Sequence, residues 1–123
     1  MDPDKIVREF CETWARADVD AIMEAFTEDA VYHNIPMAPL QGKAAIRDFI
    51  AGLFAGIASS VRFDIKQQLV SGNVVMNERV DTLALEAGDV ALPVCGVFEL
   101  SADGKISGWR DYFDMAQFSG QSG

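Results

Sequence analysis

Arg79 and Asp81 stand two residues apart in the stretch from Val74 to Leu85, and Asp111 lies between Trp109 and Phe113 at the same spacing. Side chains two apart on an extended chain point to the same side. Arg79 and Asp81 therefore share a face with Val75, Leu83 and Leu85, and Asp111 shares one with Trp109, Phe113 and Met115. A charge among apolar neighbours is costly unless it is paired, so these three groups are expected to find one another. An arginine between two carboxylates is either a structural ion network or a proton-transfer site. A face turned to solvent is a further reading, because the opposite side of the Arg79 stretch (Val74, Met76, Val80, Ala84) is also apolar. Tyr32 and Asn34 form another pair two apart. A phenol and an amide can hold a water molecule without titrating near neutral pH. His33, between them, is expected to point away and to be structural or exposed.

Other chemistries lack their residues. His33 is the one histidine, which excludes a multi-histidine metal site, and Cys11 and Cys95 lie far apart and form no CxxC pair. No GxSxG elbow and no glycine-rich phosphate loop occurs. Each cysteine sits on an apolar stretch and reads as a small buried hydrophobe in a reducing cytoplasm. The formal net charge of -9 disfavours nucleic acid and an anionic membrane surface, both of which want a basic stripe. The polar start, Met1-Asp2-Pro3-Asp4-Lys5, lacks the order of a signal peptide, and no apolar run approaches a membrane span.

The elements that must carry these residues follow from periodicity. Residues 1–123 read as a single domain, half apolar, large enough for a core and one internal pocket. Ile6, Val7, Phe10, Cys11 and Trp14 recur at helical spacing behind an Asp2-Pro3 start. Asp18 can cap a second short helix carrying Ile22, Met23 and Phe26, and after Gly42 a third helix buries Ile46, Phe49, Ile50, Leu53 and Phe54. Ala30 to Ile35 reads as a short strand stopped by Pro36 and Pro39. Val61, Phe63, Ile65 and Leu69 alternate with polar residues. Strands at Val74 to Leu85, Val90 to Leu100 and Ile106 to Met115 follow, separated by Ser71-Gly72-Asn73, Gly88-Asp89 and Asp103-Gly104 turns. The tail after Phe118 looks loose. Helices followed by hairpins mean α+β, with helices packed on one face of a curved antiparallel sheet.

Three segments carry a resemblance. Tyr32-His33-Asn34-Ile35-Pro36, Glu78-Arg79-Val80-Asp81 and Gly108-Trp109-Arg110-Asp111-Tyr112-Phe113-Asp114 together resemble the limonene-1,2-epoxide hydrolase family, from about Trp14 to Phe118. The last motif is long and specific; the others are short but fall in the right order. His33 stands where the family usually has glutamine, on the strand face away from the chemistry. The resemblance implies an NTF2-like (SnoaL-like) cone, a curved, mostly antiparallel mixed sheet with three to four N-terminal helices on its concave face around a deep pocket. It also implies a homodimer and no cofactor.

The resemblance gives each residue a role in adding water to an epoxide. Asp111 would be the general base on a water held by Tyr32 and Asn34, Asp81 the general acid on the epoxide oxygen, and Arg79 the bridge between the aspartates. Two close carboxylates resist ionising together, which suits an acid beside a base. Leu83, Leu92, Val94 and Phe113 are expected to wall a pocket for a small apolar epoxide, alicyclic or terpene-like, with Trp109 ambiguous. A ketosteroid-isomerase-like or polyketide-cyclase-like enzyme of the same fold is the catalytic alternative, although it does not need Arg79. A non-catalytic binding module is the other, since fold does not fix function.

Overall fold

The computed structural model describes residues 1–122. Helix α1 spans Pro3–Trp14, α2 Val19–Glu24 and α3 Lys43–Gly56, with a fourth helix, α4, at Met115–Ser122. Strands β1 (Phe26–Asn34), β2 (Leu40–Gln41), β3 (Ala58–Ser71), β4 (Val74–Leu85), β5 (Gly88–Leu100) and β6 (Ile106–Tyr112) form one six-stranded sheet in the order β2-β1-β6-β5-β4-β3. All pairings are antiparallel except β1 with β6, which is parallel. That mixed pairing places the chain's first strand beside its last and so brings Tyr32 and Asn34 next to Asp111.

The first two helices begin where the sequence supplies capping aspartates. The Asp2 carboxylate accepts from the Lys5 amide at 3.2 Å, and Asp18 accepts from the Ala21 amide at 3.1 Å; caps of this kind are each worth about 1 kcal/mol. One stripe of α1 buries Val7, Phe10, Cys11 and Trp14. The Phe10 ring meets Trp14, Phe26, Phe98 and Trp109 edge-on, so α1 is fastened to the sheet through an aromatic core. The third helix adds buried Ile46 and Ile50, with Phe49, Leu53 and Phe54 half-buried.

The sheet departs from the sequence reading in several places. The second helix stops at Glu24, and Phe26 opens β1 instead of closing α2. Polar Thr27, Glu28 and Asp29 are drawn into that strand because its start pairs with β6, with the Ile106 amide donating to the Ala25 carbonyl at 2.7 Å. The sixth strand ends at Tyr112, short of Met115. The chain after Phe118 is helical through its described part: α4 continues to Ser122, and the Asp114 carboxylate accepts from the Ala116 amide at 2.9 Å at its start. Three helices precede the sheet's main run and the fourth lies at the C-terminal end.

Two inward–outward assignments also change. A bulge between Ile65 and Gln67 takes up one extra residue on β3, so that Gln68 pairs with Asn77. A one-residue insertion reverses which side chains face the core. Leu69, expected inside, is consequently 74% exposed, and Gln68 takes the inward place. Cys11 is buried as expected, but Cys95 is exposed. Alternation turns Val94 inward, so Cys95 falls on the outer face opposite Glu78 and Tyr112.

Candidate active site

The fourth strand turns Val75, Asn77, Arg79 and Asp81 inward, and all four are buried. The alternative that this face looks to solvent is therefore excluded. Arg79 is 1% exposed, Asp81 5% and Asp111 3%. The Arg79 guanidinium donates from Nε to Asp81 Oδ1 at 2.9 Å and from Nη2 to Asp81 Oδ2 at 2.8 Å. The same Nη2 donates to Asp111 Oδ2 at 2.9 Å, and so bridges the carboxylates. Nη1 donates to Asn77 Oδ1 at 2.9 Å. The Phe63 ring lies 4.7 Å from the guanidinium carbon, an added favourable contact for a buried cation.

Asp111 has a second partner. Trp109 Nε1 donates to its Oδ1 at 2.7 Å. Trp109 is fully buried and stacks on Tyr32 with ring centres 4.2 Å apart and planes 13° from parallel. The Tyr32 hydroxyl donates to Asn34 Oδ1 at 3.3 Å. His33 turns the other way, its Nε2 lying 2.9 Å from the Met37 carbonyl.

Backbone register explains the convergence. Asn77, Gly96, Asp111 and Asn34 are successive partners across β4, β5, β6 and β1. They form one row on one face, with Gly96 between Asn77 and Asp111. A Cβ on Gly96 would stand 2.9 Å from both Asn77 Oδ1 and Asp111 Oδ1 and would collide with Arg79 Nη1. The bare backbone is what leaves room for the guanidinium.

These groups meet a cavity of about 480 Å³. Asp81, Asp111, Tyr32 and Asn34 all line it, whereas Arg79 stands behind the carboxylates and does not. The expected wall residues Leu83, Leu92, Val94 and Phe113 line it too. Trp14, Phe49, Leu53, Phe63, Met115 and Phe118 complete much of the apolar wall, although the sequence did not single them out as contacts. Trp109 lies beneath the cavity and acts on it through Asp111. Asn77 was missed, although it sits in the same two-residue series as Val75, Arg79 and Asp81; Gly96 carries no sequence signal of its own.

Burial governs the charges. It pushes Asp81 up to about 6 against the opposing pull of Arg79. It also raises Asp111, against the charge and hydrogen bond of Arg79 and the hydrogen bond from Trp109. For Arg79, burial opposes the charge, but Asp111 and Asp81 outweigh it and hold the guanidinium protonated. Burial, then the negative charge of Asp111, raises the Tyr32 phenol and keeps it neutral. Two carboxyls of elevated proton affinity around one fixed cation can share a proton, which is the requirement for paired acid and base work. Among the described residues, no cluster of three or more His, Cys, Asp or Glu side chains could hold a metal ion.

Known proteins share this arrangement of elements. The SnoaL-like domain model matches residues 7–109. The epoxide hydrolase EphG of Mycobacterium tuberculosis is 33% identical over 111 residues, spanning 89% of this chain and 71% of its own. The solved structure of a limonene-epoxide-hydrolase-like enzyme from M. tuberculosis superposes with a TM-score of 0.83 at 30% identity, covering 94% of this chain and 86% of that one. A protein from Shewanella denitrificans assigned as a SnoaL-like polyketide cyclase superposes with a TM-score of 0.87 at 14% identity, covering 98% of this chain and 96% of that one, a likeness of fold alone. Fold and match define a SnoaL-like domain with the NTF2-like α+β architecture. Within that class the chain belongs to the limonene-1,2-epoxide hydrolase family.

Proposed function

We propose that this chain is an epoxide hydrolase that adds water to a small apolar epoxide, alicyclic or terpene-like, and releases the vicinal trans diol in one step. The observation that carries the reading is a buried arginine bonded to two aspartates at one side of an apolar cavity, with Asn34, which accepts from Tyr32, set beside Asp111 by strand register. The relatives named epoxide hydrolases support the same activity.

The asymmetry supports distinct roles for the two aspartates. Asn34 is the register partner of Asp111, whereas Asp81 is flanked by Phe63 and Leu92. Water held by Tyr32 and Asn34 therefore lies in reach of Asp111, which serves as general base. The Trp109 hydrogen bond favours the ionised form of that carboxylate. Asp81, with an apolar neighbour on each side, is the natural holder of the proton and serves as general acid. In the reaction Asp111 takes a proton from water as the water oxygen bonds to one epoxide carbon. The carbon–oxygen bond on the opposite face breaks, and Asp81 protonates the departing oxygen. The proton gained by Asp111 then returns to Asp81 across the Arg79 bridge. Acid and base contributions are each worth about 10²–10⁴-fold. No metal, cofactor or covalent ester takes part in this scheme.

Conversion of limonene oxide or cyclohexene oxide to its trans diol by the purified protein, without added metal, tests the reading. No turnover across a broad epoxide panel by the folded protein would remove it. The proposed assembly is a homodimer through the outer sheet face bearing Arg110 and Tyr112. Exposed Leu69 and Met76 extend that face as register neighbours. Sedimentation of a single 13 kDa species would count against the dimer.

A further inference from the structure

Asn77 is 2% exposed and is not among the residues lining the 480 Å³ cavity, yet its carbonyl accepts from Arg79. Its amide nitrogen donates to Gln68 Oε1 at 3.1 Å. Gln68 Nε2 in turn donates to Asp4 Oδ1 at 2.8 Å and to the Asp4 carbonyl at 3.0 Å. The result is an ordered chain of amides between an anion in the first turn of α1 and the cation of the site. Its polarity follows from those ends. The carboxylate of Asp4 can only accept and the guanidinium can only donate, so each amide between them has one self-consistent orientation. Turning either over would set N–H against N–H or oxygen against oxygen. The β3 bulge is what brings Gln68 to the inner face to take part.

A guanidinium offers several donor corners. The Nε and Nη2 side serves Asp81, Nη2 also reaches Asp111, and Nη1 is the corner that Asn77 takes. With Nη1 released, the guanidinium keeps its two-bond pair with Asp81 but can tilt about it, which carries Nη2 off Asp111 and gives up the bridge. We propose that Asn77, oriented by Gln68 and Asp4, is a positioning residue that fixes the rotation of Arg79 so that Nη2 bridges both aspartates, in a slot kept open by Gly96. Its catalytic consequence rests on the epoxide hydrolase reading; its structural consequence does not.

Asn77→Ala is expected to lower kcat by about 10- to 100-fold with KM little changed, the scale of a displacement of about 1 Å within a site. Gln68→Met leaves Asn77 in place but removes its orienting partner, and is expected to give a smaller loss in the same direction. Side-chain ¹⁵N NMR supplies a readout without turnover. Arg79 in the native protein should show separate, slowly exchanging Nη resonances, which merge in Asn77→Ala and broaden in Gln68→Met. Native-like kcat and native-like Arg79 resonances in a folded Asn77→Ala protein would overturn the inference. If that variant does not fold, the same two results in Gln68→Met overturn it. Absence of any epoxide turnover by the native chain would instead remove the hydrolase reading, while the Arg79 spectra still decide the role of Asn77.

Discussion

Asn34 and Asp111 face each other across the parallel β1–β6 pair, and the Ile35 amide clamps the Asp111 carbonyl at 3.0 Å just beyond them. The contact joins residues far apart in sequence through backbone alone, so their side chains are set side by side without a loop to position them. Sites built on strands hold their geometry more tightly than sites on loops. It also makes the two aspartates unequal, and the predictions turn on that inequality.

Asp81→Asn and Asp111→Asn should each lower kcat by at least about 10²-fold, the smaller end of an acid or base contribution. Steady-state rates with limonene oxide, taken beside melting curves, check this. Breaking a buried ion pair can cost about 3–5 kcal/mol of stability, so a folded but inactive variant is the informative outcome. Near-native rates in either variant would remove that aspartate from the scheme.

The pH profile should be bell-shaped. The proposed scheme requires one proton on the pair, so activity should fall at low pH as Asp111 is neutralised and at high pH as Asp81 loses its proton. Stability carries its own signature. Asp81 moves from an ordinary value of 3.8 up to about 6 on folding, so the folded state binds the proton more tightly. Its contribution is fully present below about 4 and is lost as pH rises through about 6. Urea midpoints between pH 4 and 7 should therefore fall more steeply in the native protein than in Asp81→Asn. Parallel slopes would show that Asp81 does not hold the proton.

A single turnover in heavy-oxygen water should place the label in the diol and leave the protein unlabelled, because in the proposed scheme water attacks carbon directly. Mass spectrometry of the peptides carrying Asp81 and Asp111 reads the result. Label in either carboxylate would mean an ester intermediate.

Trp109→Phe keeps an aromatic ring against Tyr32 but deletes the donor 2.7 Å from Asp111 Oδ1. Losing that hydrogen bond disfavours the carboxylate, so the Asp111 proton affinity should rise. The low-pH limb of kcat should move to higher pH, with kcat at its optimum lower by about tenfold, the worth of one hydrogen bond to a charged group. An unmoved limb would mean that the bond is only structural.

Most of the site was legible because strands alternate. The faces of Arg79 with Asp81, of Asp111 with Trp109, and of Tyr32 with Asn34 followed from spacing, as did the Asp2 and Asp18 caps and the wall at Leu83, Leu92, Val94 and Phe113. Spacing alone left a structural ion network open for Arg79, and the resemblance supplied the jobs. What escaped the sequence depends on pairing. Gln68 and Leu69 exchange sides at a bulge that no local residue announces, and Thr27 to Asp29 join a strand only because β6 lies beside it. Cys95 was misjudged because an apolar stretch on a one-sided sheet still has an outer face. Gly96 matters through a neighbouring strand's side chain, which no periodicity within β5 can reveal.

The chain's two tryptophans lie with ring centres 5.7 Å apart, one on the cavity wall and one beneath it, bonded to Asp111. The tryptophan emission of this protein therefore originates wholly beside the candidate site, with no surface indole to dilute it. An indole whose N–H meets a carboxylate is sensitive to that carboxylate's charge, and one lining an apolar cavity is sensitive to what displaces its water. Titrating acid or ligand against the emission spectrum would watch proton and occupant from within, with no dye attached and no residue changed.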